Sequence, residues 1–307
     1  MTDVAIIFPG QGAQKVGMGK EFFDIYAESR AVFEAADKII DGLTDVIFNG
    51  PQERLTSTAF CQPAIVTVSI ASLKAFEKHP IFDNINIRYT AGLSLGEYSA
   101  LAASGALSFE DTIKLVERRS FFMEETARQR QGKMAAVIGF EIGKLVKISQ
   151  ETGVEIANFN TPEQVVISGD ADKVNVACEK IKSEGAKRVI SLDVSGAFHS
   201  SLMLPAAERF KIELEKIDFL PPKFPIISNV TARPIVEADE IKEDLFKQIT
   251  SSVQWVDSVN FMVENGVHNF IEIGPGNVLK GLLRKINPEL NVYNVRIPED
   301  LEKISLS

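Results

Sequence analysis

The stretch RYTAGLSLGEYSALAASG, residues 88–105, decides the fold because it places one serine between two glycines in a GxSxG pattern. The three residues are Gly92, Ser94 and Gly96. In a nucleophile elbow the serine lies on a sharp turn that exposes its hydroxyl, and a side chain at either glycine would collide across that turn. The alternative is an ordinary tight turn with a solvated serine.

The segments on either side of this turn favour the elbow. An apolar, β-prone run over 85–91 leads into it, and an Ala- and Leu-rich helix is predicted over 95–104 with Gly105 as its stop. A strand that turns sharply into a helix at a serine is typical of α/β enzymes with a serine nucleophile.

Outside this motif, short apolar runs alternate with longer amphipathic ones. The first strand is predicted at 4–8, amphipathic segments at 20–41 and 62–78, and later strands at 225–230 and 269–274. Such alternation indicates an α/β fold with a central, mainly parallel sheet.

A different pattern begins after a polar break near residue 130. The order of predicted elements there is βαββαβ, with helices over 142–150 and 171–184, which is the split ferredoxin-like arrangement. We therefore expect a small ferredoxin-like subdomain at 131–195, inserted into a larger catalytic subdomain formed by 1–130 and 196–307.

Composition excludes several classes of protein. The chain has 307 residues, 45% of them hydrophobic, which suffices for a sizeable core, and its net charge of −9 argues against a nucleic-acid partner. We read no signal peptide and no apolar run approaching ~20 residues, so we expect no membrane association and a cytoplasmic location.

The two cysteines, Cys61 and Cys178, are far apart in the sequence, with no CxxC pattern and no histidine beside either. This spacing suggests neither a zinc site nor a disulfide framework. We expect both to be buried small hydrophobic residues, and no metal site.

A serine alcohol is a weak nucleophile and needs an adjacent base. Of the three histidines, His79 precedes Pro80 at a helix end and His268 leads into a strand. His199 lies in the Gly- and Ser-rich segment VSGAFHSSLM, a setting common for catalytic residues. Elimination favours His199, and a core or loop histidine is the alternative.

The glycine-rich loop FPGQGAQKVGMG follows the first strand. It fails the dinucleotide fingerprint because Lys15 stands where the third glycine is required, and no phosphate-loop pattern is present. In elbow enzymes such a loop supplies one oxyanion-hole amide and the residue after the nucleophile supplies the other. Here these would be the amides of Gln11 and Leu95.

A helix is predicted over 109–128, capped by Ser108. Two neighbouring arginines of this helix lie at different angles around its axis. Arg119 falls inside the largely apolar arc, whereas Arg118 falls at its edge. A buried guanidinium needs a partner. The spacing leaves two partners open for Arg119: a carboxylate of the protein and a carboxylate of the substrate.

Seven segments together resemble the malonyl-CoA:acyl carrier protein transacylases in order and spacing, from about Ala5 to Arg296. They are PGQGAQKVGMG, GLSLGEYSAL, RRSFFM, ANFNTPEQVVISG, AFHSSLM, LFKQITSSVQW and IEIGPGNVL. The resemblance implies an α/β-hydrolase-like large subdomain with a ferredoxin-like insert. It also implies that Gln11 and Leu95 supply the oxyanion amides.

The resemblance assigns further roles. It implies that Ser94 carries the malonyl ester, that His199 is its base, and that the backbone carbonyl of Gln248 orients the imidazole in place of an aspartate. Arg119 would pair with the free malonyl carboxylate, and Phe198 beside His199 looks like the malonyl-selective version of that motif.

Three positions depart from the commonest family pattern. Leu93 replaces a histidine, Ser120 a glycine and Ser252 a proline. None removes a group that does chemistry, but they leave open whether the pathway served is fatty-acid or polyketide synthesis.

The expected reaction is a ping-pong transfer from malonyl-CoA to the phosphopantetheine thiol of an acyl carrier protein, releasing coenzyme A. We expect no bound cofactor and a monomer. A serine acyl hydrolase with the same two residues, or a non-catalytic docking module for the carrier protein, are the alternatives.

Carrier proteins are typically acidic, so docking on this acidic chain should use a local basic cluster. One candidate cluster is Arg128, Arg130 and Lys133, and another is Lys187 with Arg188. Solvated helix ends and loops explain the same residues equally well.

Overall fold

The computed structural model describes residues 1–306, which form two sheets and thirteen α-helices. The strands are β1 (Thr2–Phe8), β2 (Ile85–Gly92), β3 (Gly132–Ile138), β4 (Glu155–Thr161), β5 (Gln164–Asp170), β6 (Arg188–Ser191), β7 (Ile226–Ile227), β8 (Pro234–Ile235), β9 (Asn269–Ile273) and β10 (Asn291–Val295). The helices are α1 (Lys20–Ile25), α2 (Ala27–Asp37), α3 (Leu43–Asn49), α4 (Gln52–Thr56), α5 (Thr58–Phe76), α6 (Gly96–Ala103), α7 (Phe109–Gln129), α8 (Ile142–Thr152), α9 (Ala171–Ser183), α10 (Leu204–Leu214), α11 (Ala238–Gln248), α12 (Trp255–Glu264) and α13 (Val278–Ile286). Short 3₁₀ turns lie at Pro80–Asn84, Ser201–Met203 and Pro298–Lys303.

The larger sheet has six strands in the order β10-β9-β1-β2-β7-β8. All neighbouring pairs are parallel except β7 with β8, so the predicted central, mainly parallel sheet is confirmed. Both faces are covered, as parallel strands require: Val4, Ile6 and Phe8 of β1 face one core, and Ala5 and Ile7 face the other.

The smaller sheet is antiparallel, in the order β4-β5-β3-β6, and its elements follow the chain as βαββαβ. Its side chains alternate as a pleated strand requires. Ala135 and Val137 of β3 pack in a core with α8 and α9, whereas Met134 and Ala136 point to the core of the large sheet.

Helix α5 corrects two expectations. The segment was predicted to be amphipathic, but its residues are buried on nearly every side. It is also the one helix of residues 1–306 long and apolar enough to cross a membrane, with 83% of the qualifying window buried inside the protein. The expectation that no apolar run approaches that length was wrong here, because a fully enclosed core helix needs the same composition.

The segment around 225–230 is also less regular than predicted. Only Ile226–Ile227 forms a strand, and the chain then leaves the sheet at Ser228 and Asn229. Both polar side chains are buried and hydrogen-bonded in the interior, and their backbone lies beyond the end of the strand. This early exit places Asn229 behind the elbow.

Candidate active site

Ser94 lies at the sharp turn between β2 and α6, as the GxSxG pattern predicted. Its φ of 51° is in the left-handed region that side chains rarely adopt. A Cβ on Gly92 would lie 1.9 Å from the carbonyl carbon of Gly96, and a Cβ on Gly96 would lie 2.1 Å from the carbonyl oxygen of Phe8. A side chain at Gly92 would therefore prevent the turn itself, and a side chain at Gly96 would prevent the turn from packing against β1.

His199 is the histidine that reaches Ser94. The hydroxyl of Ser94 lies 2.7 Å from His199 Nε2. On the other side of the ring, Nδ1 lies 2.9 Å from the carbonyl of Gln248 and 3.1 Å from that of Ser251. Two carbonyl acceptors require the proton on Nδ1, which leaves Nε2 free to accept the serine proton.

The other histidines are elsewhere. His79 begins the 3₁₀ turn at Pro80–Asn84 and lies 3.6 Å from Glu302, whereas His268 is exposed before β9. Among residues 1–306, elimination and geometry therefore select the same histidine, His199.

His199 is neutral at physiological pH. Burial, aided by the nearby charge of Arg119, lowers its pKa to about 4. The imidazole therefore stays in the form that can accept a proton as the pH falls from neutrality until it approaches that value.

Arg119 is 1% exposed, on the buried face of α7 that the helical spacing predicted. Its guanidinium donates to Gln62 Oε1 at 2.7 Å, to Gln248 Oε1 at 3.2 Å and to Ser94 Oγ at 3.1 Å. Tyr98 presents its ring to the same group, 5.3 Å from centroid to Cζ.

No carboxylate within residues 1–306 forms an ion pair with Arg119, whereas Arg118 at the helix edge pairs with Glu213 at 3.6 Å. A buried cation held only by neutral groups is costly unless an anion completes it. Of the two partners left open by the spacing, a carboxylate of the protein therefore forms no ion pair with Arg119 in the described structure.

Gln11 and Leu95 both line the cavity that contains Ser94. Neither backbone N–H donates a hydrogen bond to an acceptor within the described chain. Two unpaired amides beside a nucleophile are what an oxyanion hole requires. The cavity measures about 840 Å³ and opens between the two sheets, with Met134 and Val166 on its far wall.

Several residues at this site were not found from the sequence. Gln62 of α5 accepts a hydrogen bond from Arg119, and Asn229 after β7 accepts one from the Ser94 N–H of the elbow. Glu97 in turn accepts the backbone N–H of Asn229. Asn229 was predicted to lie inside the strand at 225–230, so its turn into the site was not foreseen. Nothing in the sequence pointed to Gln62 or to the side chain of Gln248.

The described residues contain no cluster of three or more His, Cys, Asp or Glu side chains that could hold a metal ion. Cys61 is buried, and burial raises the pKa of its thiol to about 12. Cys178 is only half-buried, which corrects the expectation that both cysteines are core residues.

Comparison with known proteins identifies the family of this chain. Residues 5–293 match the sequence family of the acyl transferase domain. The malonyl CoA-acyl carrier protein transacylase of Bacillus subtilis is 44% identical over 98% of this chain and 96% of that protein.

Solved structures agree. The acyl-carrier-protein-S-malonyltransferase of Bartonella henselae is 38% identical, with a TM-score of 0.93 over 99% of this chain and 98% of that one. A malonyl-transacylase solved in complex with its type II PKS acyl-carrier protein is 34% identical, with a TM-score of 0.93 over 98% of each chain. The chain therefore belongs to the acyl transferase family, among the malonyl CoA-acyl carrier protein transacylases.

Proposed function

We propose that this protein transfers the malonyl group of malonyl-CoA to the phosphopantetheine thiol of an acyl carrier protein, through an O-malonyl ester on Ser94. The names of its relatives support the reaction. The observation that carries it in this chain is Arg119, a buried cation that forms no ion pair within residues 1–306 and whose Nη2 lies 3.1 Å from the serine oxygen. A carboxylate bound there would have its acyl carbon close to the nucleophile.

In the first half-reaction His199 Nε2 takes the hydroxyl proton while Ser94 Oγ bonds to the thioester carbonyl carbon. The carbonyl oxygen becomes an oxyanion facing the amides of Gln11 and Leu95. Collapse of this intermediate breaks the carbon–sulfur bond, and the imidazolium returns its proton to the sulfur of coenzyme A.

The second half-reaction runs the same steps in reverse order. The imidazole deprotonates the carrier thiol, the thiolate attacks the serine ester, and the serine oxygen leaves with the proton. The carbonyl oxygens of Gln248 and Ser251 hold Nδ1–H throughout, which stabilises the imidazolium without an aspartate.

Three properties complete the proposal. The large sheet with its elbow supports an α/β-hydrolase-like subdomain (1–130 and 196–307), and the βαββαβ order supports a ferredoxin-like insert (131–195). The protein would act as a cytoplasmic monomer, without nucleic acid or membrane. It would need no bound cofactor or metal, because malonyl-CoA is the substrate and coenzyme A the product.

Intact-mass spectrometry after mixing with malonyl-CoA tests the mechanism. The wild type should gain one malonyl group, and Ser94→Ala should gain none. Adding acyl carrier protein should move the group to the carrier thiol. Absence of a serine-dependent adduct would refute the covalent step, and release of free malonate without acylation of the carrier would instead identify a hydrolase.

A further inference from the structure

The side chain of Asn229 bridges the two backbone groups on either side of Leu93 in the elbow. Its Oδ1 accepts the Ser94 N–H at 2.6 Å, and its Nδ2 donates to the Gly92 carbonyl at 2.7 Å. One primary amide from a distant segment therefore satisfies both a buried donor and a buried acceptor of the turn that carries the nucleophile.

This amide continues the β-ladder beyond the end of its own strand. Strand β7 pairs in parallel with β2 at Thr90, whose N–H donates to the carbonyl of Pro225 at 3.0 Å. In a parallel ladder, one residue bonds both the C=O before and the N–H after the residue opposite it. After β7 has left the sheet, the Asn229 side chain supplies this same pair of bonds around Leu93. It thus extends the strand-like pairing of β2 as far as Ser94.

Asn229 is itself held in place by its main chain. Its N–H donates to Glu97 Oε1 at 3.1 Å, and its carbonyl accepts the N–H of Gln254 at 2.8 Å. The residue is 1% exposed and lies outside the cavity that contains Ser94. The amide therefore meets the elbow from a fixed position, without contact to a substrate in the cavity.

The bond to the Ser94 N–H fixes the peptide group that precedes the nucleophile. The peptide group that follows is fixed by its carbonyl, which accepts Gln248 Nε2 at 3.0 Å and the Glu97 N–H at 3.1 Å. Between these two planes lies the φ of 51° at Ser94, a conformation that persists only where the surroundings impose it. Rotation of the first plane would move the hydroxyl away from His199 Nε2, now at 2.7 Å, and would turn the Leu95 N–H away from the oxyanion.

We propose that Asn229 is a positioning residue for acyl transfer, whose side-chain amide holds the strained backbone of Ser94 and so aims both its hydroxyl and the Leu95 amide. An asparagine suits this place because it presents one acceptor and one donor from a single planar group, whereas a carboxylate presents acceptors alone. The effect on acylation by malonyl-CoA rests on the function proposed above. The reactivity of Ser94 toward a general serine reagent does not.

Asn229→Ala removes both bonds and leaves the N–H of Ser94 and the carbonyl of Gly92 without their partner. The maximal rate of Ser94 acylation should fall about tenfold or more, while the malonyl-CoA concentration for half-maximal rate stays within about twofold, because the cavity keeps its lining. Time-resolved intact-mass spectrometry measures this rate separately from the fraction of protein that can be acylated, which a loss of folding alone would lower.

Asn294→Ala is the matched control and should keep the wild-type acylation rate. Asn294 is 9% exposed, and its amide donates to Glu272 at 2.7 Å. It lies in β10, which β9 and β1 separate from β2. The control therefore removes a buried amide of the same sheet without touching the elbow.

Asn229→Asp makes the same two bonds depend on pH. A protonated carboxyl group presents an acceptor and a donor and so replaces the amide, whereas an ionised one turns an oxygen toward the Gly92 carbonyl. The acylation rate relative to wild type should therefore be highest at low pH and fall about fivefold or more between about pH 5 and about pH 9, as the introduced group loses its proton. In the wild type His199, with a pKa of about 4, is neutral throughout this range.

The ionisable groups around residue 229 are the same in the variant and the wild type. Glu97 accepts its N–H, and Asp244 is bonded to the residue before it. His199 and Arg119 contact the nucleophile. Their titration therefore cancels in the ratio of the two rates. Asn294→Asp adds a carboxyl group at the control position, and its ratio should not change with pH.

Labelling of Ser94 with a fluorophosphonate tests the role of Asn229 without malonyl-CoA. The serine oxygen bonds to phosphorus, fluoride leaves and the hydroxyl proton passes to His199, so the labelling rate reports on the same nucleophile. Labelling should slow in Asn229→Ala and follow pH in Asn229→Asp, as acylation does. A wild-type rate in Asn229→Ala, or a ratio independent of pH in Asn229→Asp, would overturn the proposal. A wild type that is labelled but never acylated would refute the proposed function, and the labelling rates would then decide on Asn229.

Discussion

At the scale of single residues, the guanidinium of Arg119 is the group whose hydrogen bonds would change most when a substrate carboxylate binds. It donates to the reacting oxygen of Ser94 and to two glutamine side chains, all of them neutral. An arriving carboxylate offers two charged acceptors to a planar fork of donors, and such pairs are both stronger and more directional. Selectivity for an acyl group with a free carboxylate would follow from this one side chain.

We expect Arg119→Ala to lower kcat/KM for malonyl-CoA by about 30-fold to 5,000-fold, since truncating one partner of a buried charged pair costs roughly 2–5 kcal/mol. Acetyl transfer should be spared or improved, because an acetyl group has no carboxylate to lose. Paired assays with malonyl-CoA and acetyl-CoA measure the difference. Arg118→Ala is the control and should change neither; equal loss of both activities in Arg119→Ala would mean that Arg119 is structural.

At the scale of elements, the strand–turn–helix unit of β2 and α6 depends on close approach of backbone to backbone. Leu93 N–H donates to the carbonyl of Phe8 at 3.2 Å, so the turn is fastened to the end of β1. There is no room for a methyl group at Gly96, because the atom it would meet is a main-chain oxygen that cannot rotate away.

Gly96→Ala should therefore destabilise the protein by about 3 kcal/mol or more and abolish acylation of Ser94, since relieving the overlap must move β1 or the elbow. Gly281→Ala in α13 is the matched control. A Cβ there meets no atom within 4 Å, so we expect wild-type activity and a gain of about 0.5–1 kcal/mol. Thermal unfolding and intact-mass acylation measure both; a stable, active Gly96→Ala would show that the contact with Phe8 does not matter.

At the scale of the whole molecule, the cavity belongs to neither sheet alone. The large sheet presents Ser94, and the small sheet closes the opposite wall with Met134 and Val166. A carrier protein that delivers its thiol to Ser94 must approach this junction. With a net charge of −9, the chain can attract an acidic partner only through a local basic cluster.

Of the basic residues in the two candidate clusters, Arg128 pairs with Glu124 at 2.6 Å and Lys187 with Glu163 at 3.4 Å. Arg130 and Arg188 are exposed and have no ion pair within the described chain. Charge reversal of each to glutamate should raise KM for the carrier protein about threefold or more and leave KM for malonyl-CoA unchanged. Lys38→Glu, the same charge change at an exposed residue directly after α2, is the control. Equal effects of all three substitutions would indicate a general electrostatic field instead of a docking surface.

The sequence by itself determined the local units of this protein. The GxSxG turn, the buried face of α7 with Arg119, the cap at Ser108 and the βαββαβ order all follow from short-range periodicity and turn chemistry, and all are present. His199 was reached by elimination, because so few histidines are available.

Only the tertiary structure decided which distant residues complete the site. Asn229 lies 135 positions from Ser94, and Gln248 lies 151 positions from Glu97, so their contacts depend on strand order and helix packing. Local periodicity places a side chain on a face, but it does not state what that face meets. The lack of an ion pair at Arg119 within residues 1–306 is likewise a property of packing, which no segment of the chain encodes alone.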